Sequence, residues 1–200
     1  KPLYPSYSSV EKRKINIAYI GINNHEIDLI APFIEALKCE NVKNSYRLIL
    51  YGNTISNEKW NQLGLSEIAE YRGWLDYSKD VSTLKDIDVF LQLLDDNNVS
   101  KAGWPNKLGD YLAFGKPIIL SPYGDIIDFV KNEKGFFIVE YNKYSILKIL
   151  QEIKDIPYSD LKTMGYANRQ LAEKISWKNR AKNIEYICNK IRFNNETVKN

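Results

Sequence analysis

The sequence predicts one doubly wound α/β domain, that is, a parallel sheet with helices on both faces, followed by a C-terminal helical tail. Strand-like segments alternate with segments of helical periodicity along most of the chain. Two of the strand-like segments, Ile87–Leu94 and Lys116–Gly124, are nearly continuously apolar, as strands buried on both faces are. From Ser159 to about residue 193 the chain is helical in pattern and rich in lysine and arginine.

The strand-like segments are rich in β-branched and aromatic residues, and several of them end at glycine or asparagine. They are Ile15–Ile22, Tyr46–Asn53, Ile68–Leu75, Ile87–Leu94, Lys116–Gly124 and Gly135–Asn142. Apolar residues at helical spacing between them predict helices over Ile27–Leu37, Asn57–Leu63, Asp80–Lys85, Asn106–Phe114, Asp125–Asn132 and Tyr144–Ile156. The domain is therefore expected over residues 15–158. A linker containing Pro and Ser precedes it at residues 1–14, and a helical tail, interrupted near Ile175–Trp177, follows at residues 159–200.

The composition excludes several classes of protein. Two hundred residues, 44% hydrophobic and 26% charged, describe a globular chain with one sizeable core. Because His25 is the single histidine, neither a histidine-rich metal site nor a Ser–His–Asp or Cys–His catalytic set can be assembled. Neither G-x-G-x-x-G nor G-x-x-x-x-G-K-[ST] occurs, which disfavours dinucleotide dehydrogenases and P-loop enzymes. The net charge of +3 argues neither for nor against an acidic partner, and no nucleic acid partner is expected.

The location of the protein is predicted from its cysteines and its apolar segments. Cys39 and Cys188 are far apart and lack metal-ligand spacing, which favours a reduced, cytoplasmic protein. No apolar run approaches ~18 residues, and no signal peptide is recognisable. The first residue is Lys1 rather than Met, so we expect the sequence to be a fragment of a longer chain.

In an open parallel sheet, ligands bind beyond the carboxyl ends of the strands. The candidate loops are Gly21–Glu26, Gly52–Ser56, Gly73–Ser78, Asp95–Asn106 and Ser121–Asp125. The most informative stretch follows the fourth loop, where Pro105 and Gly115 predict the two ends of one helix.

The first turn of this helix would present free backbone N–H groups at Asn106, Lys107 and Leu108 to an anion. Lys107 adds a cation, and Asp110, one turn further on, can accept hydrogen bonds from the hydroxyls of a ribose. These positions suit a nucleoside diphosphate. The alternative is that Lys107 and Asp110 form an exposed ion pair of slight value.

At this point the sequence resembles a known family. Residues 86–130, "DIDVFLQLLDDNNVSKAGWPNKLGDYLAFGKPIILSPYGDIIDFV", look like the donor-binding C-terminal domain of GT-B-fold glycosyltransferases of group 1. Those chains typically show an "aDvfl" strand and a "P-x-K-l-x-E/D-Y-l-a-x-G-K/R-P-v/i" helix and strand. "YRGWL" resembles their preceding strand, and "ISWKNRAKNIEYI" resembles their late Trp-containing helix. The resemblance spans roughly residues 15–187 and implies a Rossmann-like fold.

The resemblance implies a donor site and assigns roles to its residues. The loop before Asn106, together with the amides of Asn106, Lys107 and Leu108, would face the diphosphate and sugar, with Lys107 stabilising the departing diphosphate. Asp110 matches the carboxylate that holds the ribose, and the turn at Trp74 and Leu75 matches the segment that receives the base. The full set of expected donor-binding residues is Asn23, Trp74, Leu75, Lys101, Trp104, Asn106, Lys107, Leu108 and Asp110. For Trp74 and Trp104, the alternative is that each ring is simply packed in the domain.

Two departures from the family pattern leave the stereochemistry open. Many retaining members carry a glutamate eight residues before the ribose carboxylate, and here that position is Ala102. Many also carry an arginine and a lysine after the first strand, whereas residues 21–30, "GINNHEIDLI", contain neither. Lys101 and Lys107 are the cations available to substitute. A nucleotide-sugar epimerase of the same architecture and a non-catalytic nucleotide-binding or partner-binding subunit therefore remain open alternatives.

The resemblance also implies partners that lie outside this sequence. The acceptor site and any general base would lie on a missing N-terminal domain, and the tail would pack on the present domain or toward the missing one. The expected substrates are a UDP- or GDP-sugar and a glycan or lipid-linked acceptor, with no cofactor and no obligatory metal. The basic residues of the tail either contact anionic lipid at a membrane surface or form a solvated helix face: Lys174, Lys178, Arg180, Lys182, Lys190 and Arg192.

Overall fold

A computed structural model describes residues 13–197 of the chain. The predicted linker at residues 1–14 therefore lies almost wholly outside the described residues, as do the last three residues of the predicted tail. Within the described part of the chain, no helix is both long enough and apolar enough to cross a membrane.

The described residues form a six-stranded sheet in the order β3-β2-β1-β4-β5-β6. Every neighbouring pair of strands is parallel, which confirms the predicted doubly wound architecture. The strands are β1 (Ile15–Ile22), β2 (Tyr46–Gly52), β3 (Ala69–Tyr71), β4 (Val89–Gln92), β5 (Ile118–Leu120) and β6 (Phe136–Ile138). The order reverses between β1 and β4, where Ile17 lies opposite Val89, and the crevice at such a switch point is where ligands bind in this architecture.

Nine α-helices connect and flank these strands within residues 13–197. They are α1 (Glu26–Leu29), α2 (Ala31–Leu37), α3 (Asn57–Gln62), α4 (Asn98–Ala102), α5 (Asn106–Phe114), α6 (Ile126–Val130), α7 (Lys143–Ile153), α8 (Tyr158–Lys174) and α9 (Trp177–Thr197). Short 3₁₀ turns lie at Leu65–Glu67 and Val81–Leu84. The tail is interrupted between α8 and α9, where the sequence predicts a break.

The strands β3, β4, β5 and β6 are shorter than the sequence predicts. The predicted helices and loops differ from the structure in three further places. The helix predicted over Ile27–Leu37 is two helices, because Pro32 in the first turn of α2 has no N–H with which to continue α1. The segment predicted as a helix over Asp80–Lys85 is a 3₁₀ turn. The predicted loop Asp95–Asn106 contains α4, whose first turn is capped by the Asn97 side chain, which accepts from the Ser100 amide at 2.8 Å.

The core consists of two hydrophobic layers, one on each face of the sheet. Alternating residues of β1 enter opposite layers, as the two-residue period of a strand requires: Ile17 and Tyr19 lie in one layer, Ala18 and Ile20 in the other. Helices α2 and α7 supply Phe33 and Leu150 to the first layer, and α5 and α8 supply Leu112 and Leu171 to the second. Burial on both faces explains why β1, β2, β4 and β5 are almost continuously apolar.

The two helices of the tail differ in their contact with the domain. Asn168 of α8 is buried and donates hydrogen bonds of 2.8 Å to the backbone carbonyls of Lys116 and Gly135, which fixes α8 at the start of β5 and β6. In α9, residues 180–191 are all exposed. Their apolar side chains include Ile184, Ile187 and Ile191.

Candidate functional site

The end of β1 lies directly against the first turn of α5 at the switch point of the sheet. Gly21 has φ +84°, a conformation that glycine adopts at no steric cost. A Cβ atom at this position would lie 3.0 Å from Cε of Lys107, so the lysine stem packs on the bare backbone of β1. The structure thus brings together Gly21, which the sequence analysis placed in a candidate loop, and Lys107, which it placed in the first turn of the helix after another candidate loop.

The ammonium group of Lys107 is held by two side chains from the β1 side of the crevice. Its Nζ donates to Glu26 Oε2 at 2.8 Å and to the Tyr19 hydroxyl at 2.9 Å, and it lies 4.5 Å from the centre of the Tyr19 ring. The Tyr19 hydroxyl also donates to Glu26. The side chains of Lys107 and Glu26 are only 28% and 30% exposed. The alternative in which Lys107 pairs with Asp110 is therefore wrong, because Lys107 has other partners.

The electrostatics of this cluster favour a charged Glu26 and a protonated Tyr19. Burial opposes the charged form of Glu26, but the hydrogen bonds from Lys107 and Tyr19 outweigh it and hold the pKa of Glu26 below its ordinary value. Burial, together with the neighbouring Glu26 carboxylate, raises the pKa of Tyr19. At neutral pH the cluster thus holds one cation, one anion and one neutral hydroxyl.

Asp110 lies on the next turn of α5 and interacts with Tyr77. The Tyr77 hydroxyl donates to Asp110 Oδ2 at 3.2 Å, and its ring stacks loosely on Phe114, with ring centres 6.1 Å apart. Burial and the Asp110 carboxylate raise the pKa of Tyr77 to about 12, so the hydroxyl stays a donor at neutral pH. The residue Asp110 is exposed overall, yet partial desolvation by nearby protein atoms raises the pKa of its carboxyl group. The hydrogen bond from Tyr77 acts in the opposite direction and lowers this pKa.

The backbone amides at the start of α5 differ in their availability. The amide of Leu108 donates to the Pro105 carbonyl at 3.0 Å, so the expectation of a free N–H at this residue is wrong. The side chain of Leu108 is fully buried in the core. The amides of Asn106 and Lys107 have no acceptor among the described residues, as expected for the first positions of a helix.

Three further expected residues lie near the crevice but already have partners or neighbours. The Asn23 side-chain oxygen accepts from the amides of His25 and Glu26 at 2.8 and 2.9 Å, and so caps the start of α1. Lys101 is exposed and pairs with Asp96. Trp104 packs edge-on against Phe129, with ring centres 4.8 Å apart, and stays 38% exposed.

The two expected residues in the turn after β3, Trp74 and Leu75, differ in their exposure to solvent. Trp74 is 71% exposed, so the alternative in which its ring is packed in the domain is wrong. The neighbouring side chain of Leu75 is buried in the core layer that also contains α5. Burial of Leu75 anchors the turn and presents the Trp74 ring to solvent.

The loop after β5 is fixed against the loop after β4. The Ser121 hydroxyl donates to the Leu94 carbonyl and accepts from the Leu94 amide, both at 2.7 Å. A Cβ atom at Gly124, which has φ +58°, would lie 2.1 Å from the Lys101 carbonyl oxygen. Only glycine allows this close approach, which seats the loop after β5 directly against the backbone of α4.

Sequence reasoning missed three residues of the candidate site: Tyr19 and Glu26, which contact Lys107, and Tyr77, which contacts Asp110. Glu26 and Tyr77 lie within the candidate loops Gly21–Glu26 and Gly73–Ser78, so their position was a usable signal. Tyr19 is a hydroxyl-bearing residue near the end of a mostly apolar strand, which is a weaker signal. Among the described residues, no group of three or more His, Cys, Asp and Glu side chains could hold a metal ion.

The fold and the crevice define a Rossmann-like, doubly wound α/β domain with a helix N-terminus and a cation at the switch point of the sheet. The family model of the group 1 glycosyl transferases matches residues 14–155. This chain therefore belongs to the group 1 glycosyl transferase family. No protein of curated function matches it significantly.

Solved structures share the fold at low sequence identity. Sucrose-phosphate synthase from Thermosynechococcus elongatus superposes with a TM-score of 0.68 at 13% identity, over 94% of this chain and 50% of that protein. The C-terminal domain of a group 1 glycosyl transferase, LpcC from Francisella tularensis, gives a TM-score of 0.58 at 14% identity, over 87% of this chain and 95% of that domain. Anabaena HepE, solved in complex with UDP and glucose, gives a TM-score of 0.58 at 12% identity, over 81% of this chain and 44% of that protein. The chain thus spans about half the length of sucrose-phosphate synthase and of HepE.

Proposed function

We propose that this chain binds the donor of a glycosyltransferase that transfers a sugar from a UDP- or GDP-sugar to a polysaccharide or glycoconjugate acceptor. The observation that carries the proposal is the arrangement of α5 at the switch point, with Lys107 beside Gly21 and Asp110 one turn further along. The family membership supports the reaction class.

In the proposed complex, each part of the donor meets a different part of the crevice. The diphosphate lies against the amides of Asn106 and Lys107 and the Lys107 ammonium, which stabilise the departing phosphate charge without an obligatory metal. The ribose hydroxyls bind Asp110, which the Tyr77 hydroxyl already orients. The base lies at the turn bearing Trp74, whose exposed ring is available for stacking.

The acceptor site and the general base are proposed to lie on an N-terminal domain across the crevice, in a cytoplasmic enzyme. Helix α9 is proposed to pack toward that domain. This proposal is supported by the exposure of large apolar side chains on α9: Trp177 is 85% exposed and Ile184 is 62% exposed. Folded domains rarely leave such an apolar surface in contact with water.

The proposal is tested by titrating the chain with uridine, UMP, UDP and GDP. Lys107→Met removes the cation beside the diphosphate, so the loss should be larger for UDP than for UMP, absent for uridine, and smaller in high salt. Asp110→Asn removes the charge that binds the ribose, so the loss should be similar for UMP and UDP. Each loss should be about ten- to a hundredfold, the scale of one charge-assisted hydrogen bond.

A matched control is Lys59→Met. Lys59 is 24% exposed and pairs with Asp28 of α1, as Lys107 is 28% exposed and pairs with Glu26 of the same helix. The Lys59→Met substitution should change the affinity for UDP less than twofold. Unchanged affinity in both the Lys107 and Asp110 variants, with wild-type unfolding curves, would refute the donor site and favour a non-catalytic partner-binding subunit.

A further inference from the structure

Lys107, the cation at the proposed diphosphate position, already forms an ion pair with a carboxylate of this chain. One oxygen of Glu26 accepts hydrogen bonds from both Lys107, at 2.8 Å, and the Tyr19 hydroxyl. The hydrogen bond from Lys107 and that from Tyr19 keep the pKa of Glu26 below its ordinary value despite partial burial. The charge of Lys107 is therefore compensated before any ligand arrives.

Both members of this pair are held in place by the surrounding chain. The Asn23 side chain caps the amide of Glu26 at 2.9 Å, which fixes the start of α1. The Lys107 stem packs on Gly21, and the Tyr19 ring that lies under its ammonium group is 1% exposed. The ion pair is thus a built contact rather than a chance meeting of two surface chains.

We infer that Glu26 is a specificity-determining residue that competes with the phosphate groups of the donor for Lys107. This inference rests on the proposed function. A bound diphosphate must either share Lys107 with a carboxylate of the same sign or displace that carboxylate, and both lower the affinity for phosphate. An uncharged nucleoside meets no such competition, so Glu26 weakens diphosphate binding while leaving recognition of base and ribose intact.

The decisive variant is Glu26→Gln, which keeps the shape and the acceptor oxygen but removes the charge. Calorimetric titration should show a gain in affinity that grows with the number of phosphates: none for uridine, intermediate for UMP and about tenfold for UDP. Adding Lys107→Met to this variant should abolish the gain, because the gain acts through the freed cation. Glu26→Asp, which withdraws the carboxylate by one methylene, should give a smaller gain in the same order of ligands.

The matched control is Asp28→Asn. Asp28 lies two residues further along α1, on a side that does not face Glu26, and it pairs with Lys59. The substitution removes the same charge from the same helix, so a general electrostatic effect would appear equally in this control. Its UDP affinity should stay within twofold of the wild type.

The outcomes separate this inference from the proposed function. If the wild type binds UDP but Glu26→Gln and Glu26→Asp bind it with equal or lower affinity, the role of Glu26 is overturned. The proposed function is not overturned by this result. An equal gain for uridine, or an equal gain in Asp28→Asn, would also overturn the role of Glu26. Absence of UDP and GDP binding in the wild type and in every variant would overturn the proposed function, and the role of Glu26 with it.

Discussion

Lys116, two residues before β5, carries a buried amine whose Nζ has no hydrogen-bond partner among the described residues. The residue is 7% exposed, and burial lowers its pKa although nearby Asp88 acts in the opposite direction. Asp88 is already satisfied by Arg13, at 2.6 and 3.0 Å, and by the Asn16 amide at 2.9 Å. The amine of Lys116 is therefore a cost to folding rather than one half of an ion pair.

We expect Lys116→Met to raise the free energy of unfolding at pH 7 by about 1–3 kcal/mol, the cost of a buried unsatisfied polar group. A lysine whose pKa is lower in the folded state binds fewer protons there. The stability penalty of the buried Lys116 amine is therefore complete at pH values below the pKa of Lys116 in the folded state. The penalty is relieved as the pH rises toward the pKa of lysine in the unfolded chain, about 10.4. The advantage of the variant should shrink accordingly in urea unfolding curves between pH 7 and about pH 10.

The control for this prediction is Lys148→Met on α7, at an exposed lysine. It should change stability by less than about 0.5 kcal/mol at any of these pH values. A Lys116→Met variant less stable than the wild type at pH 7 would show that the amine has a stabilising partner in Asp88.

At the scale of elements, the contact between α8 and the end of α5 depends on a glycine. A Cβ atom at Gly165 would lie 2.2 Å from the carbonyl oxygen of Gly115, which leaves no room for a side chain. Gly165→Ala should therefore destabilise the domain by about 1–3 kcal/mol, although alanine has the better helix propensity. Urea unfolding followed by circular dichroism measures the change.

Gly109 of α5 is the matched control, because it is also a helical glycine but has no heavy atom within 4 Å of its Cβ position. Gly109→Ala should stabilise the domain by about 0.5–1 kcal/mol through helix propensity alone. A stabilising effect in both variants would mean that α8 moves away from α5 at little cost.

At the scale of the whole molecule, the crevice at the switch point is lined on one side by the described residues. We expect the purified 200-residue chain to bind UDP or GDP but to transfer no sugar, because the acceptor and the base are proposed to lie on a second domain. Transfer needs both substrates held in reacting geometry with water excluded. Incubation with a UDP-sugar and candidate acceptors should release no UDP above a protein-free control, and measurable transfer would contradict this expectation.

The sequence by itself determined the architecture and the helix at the centre of the site. Alternation of apolar strands and amphipathic helices predicts the six-stranded parallel sheet, because burial on both faces demands continuous apolar strands. Helix α5 runs over the predicted Asn106–Phe114 because its ends are set by local chemistry: Pro105 precedes it and Gly115 adopts φ +67° just after it.

Only the tertiary structure decided which charged groups meet. Spacing placed Lys107 beside Asp110, but Lys107 pairs with Glu26, which lies 81 positions away, and Asp110 accepts from Tyr77, which lies 33 positions away. These partners are chosen by the strand order, which sets the end of β1 against the start of α5. Helical spacing fixes only which side chains share a face of one helix, whereas the partner across a crevice depends on how distant elements pack.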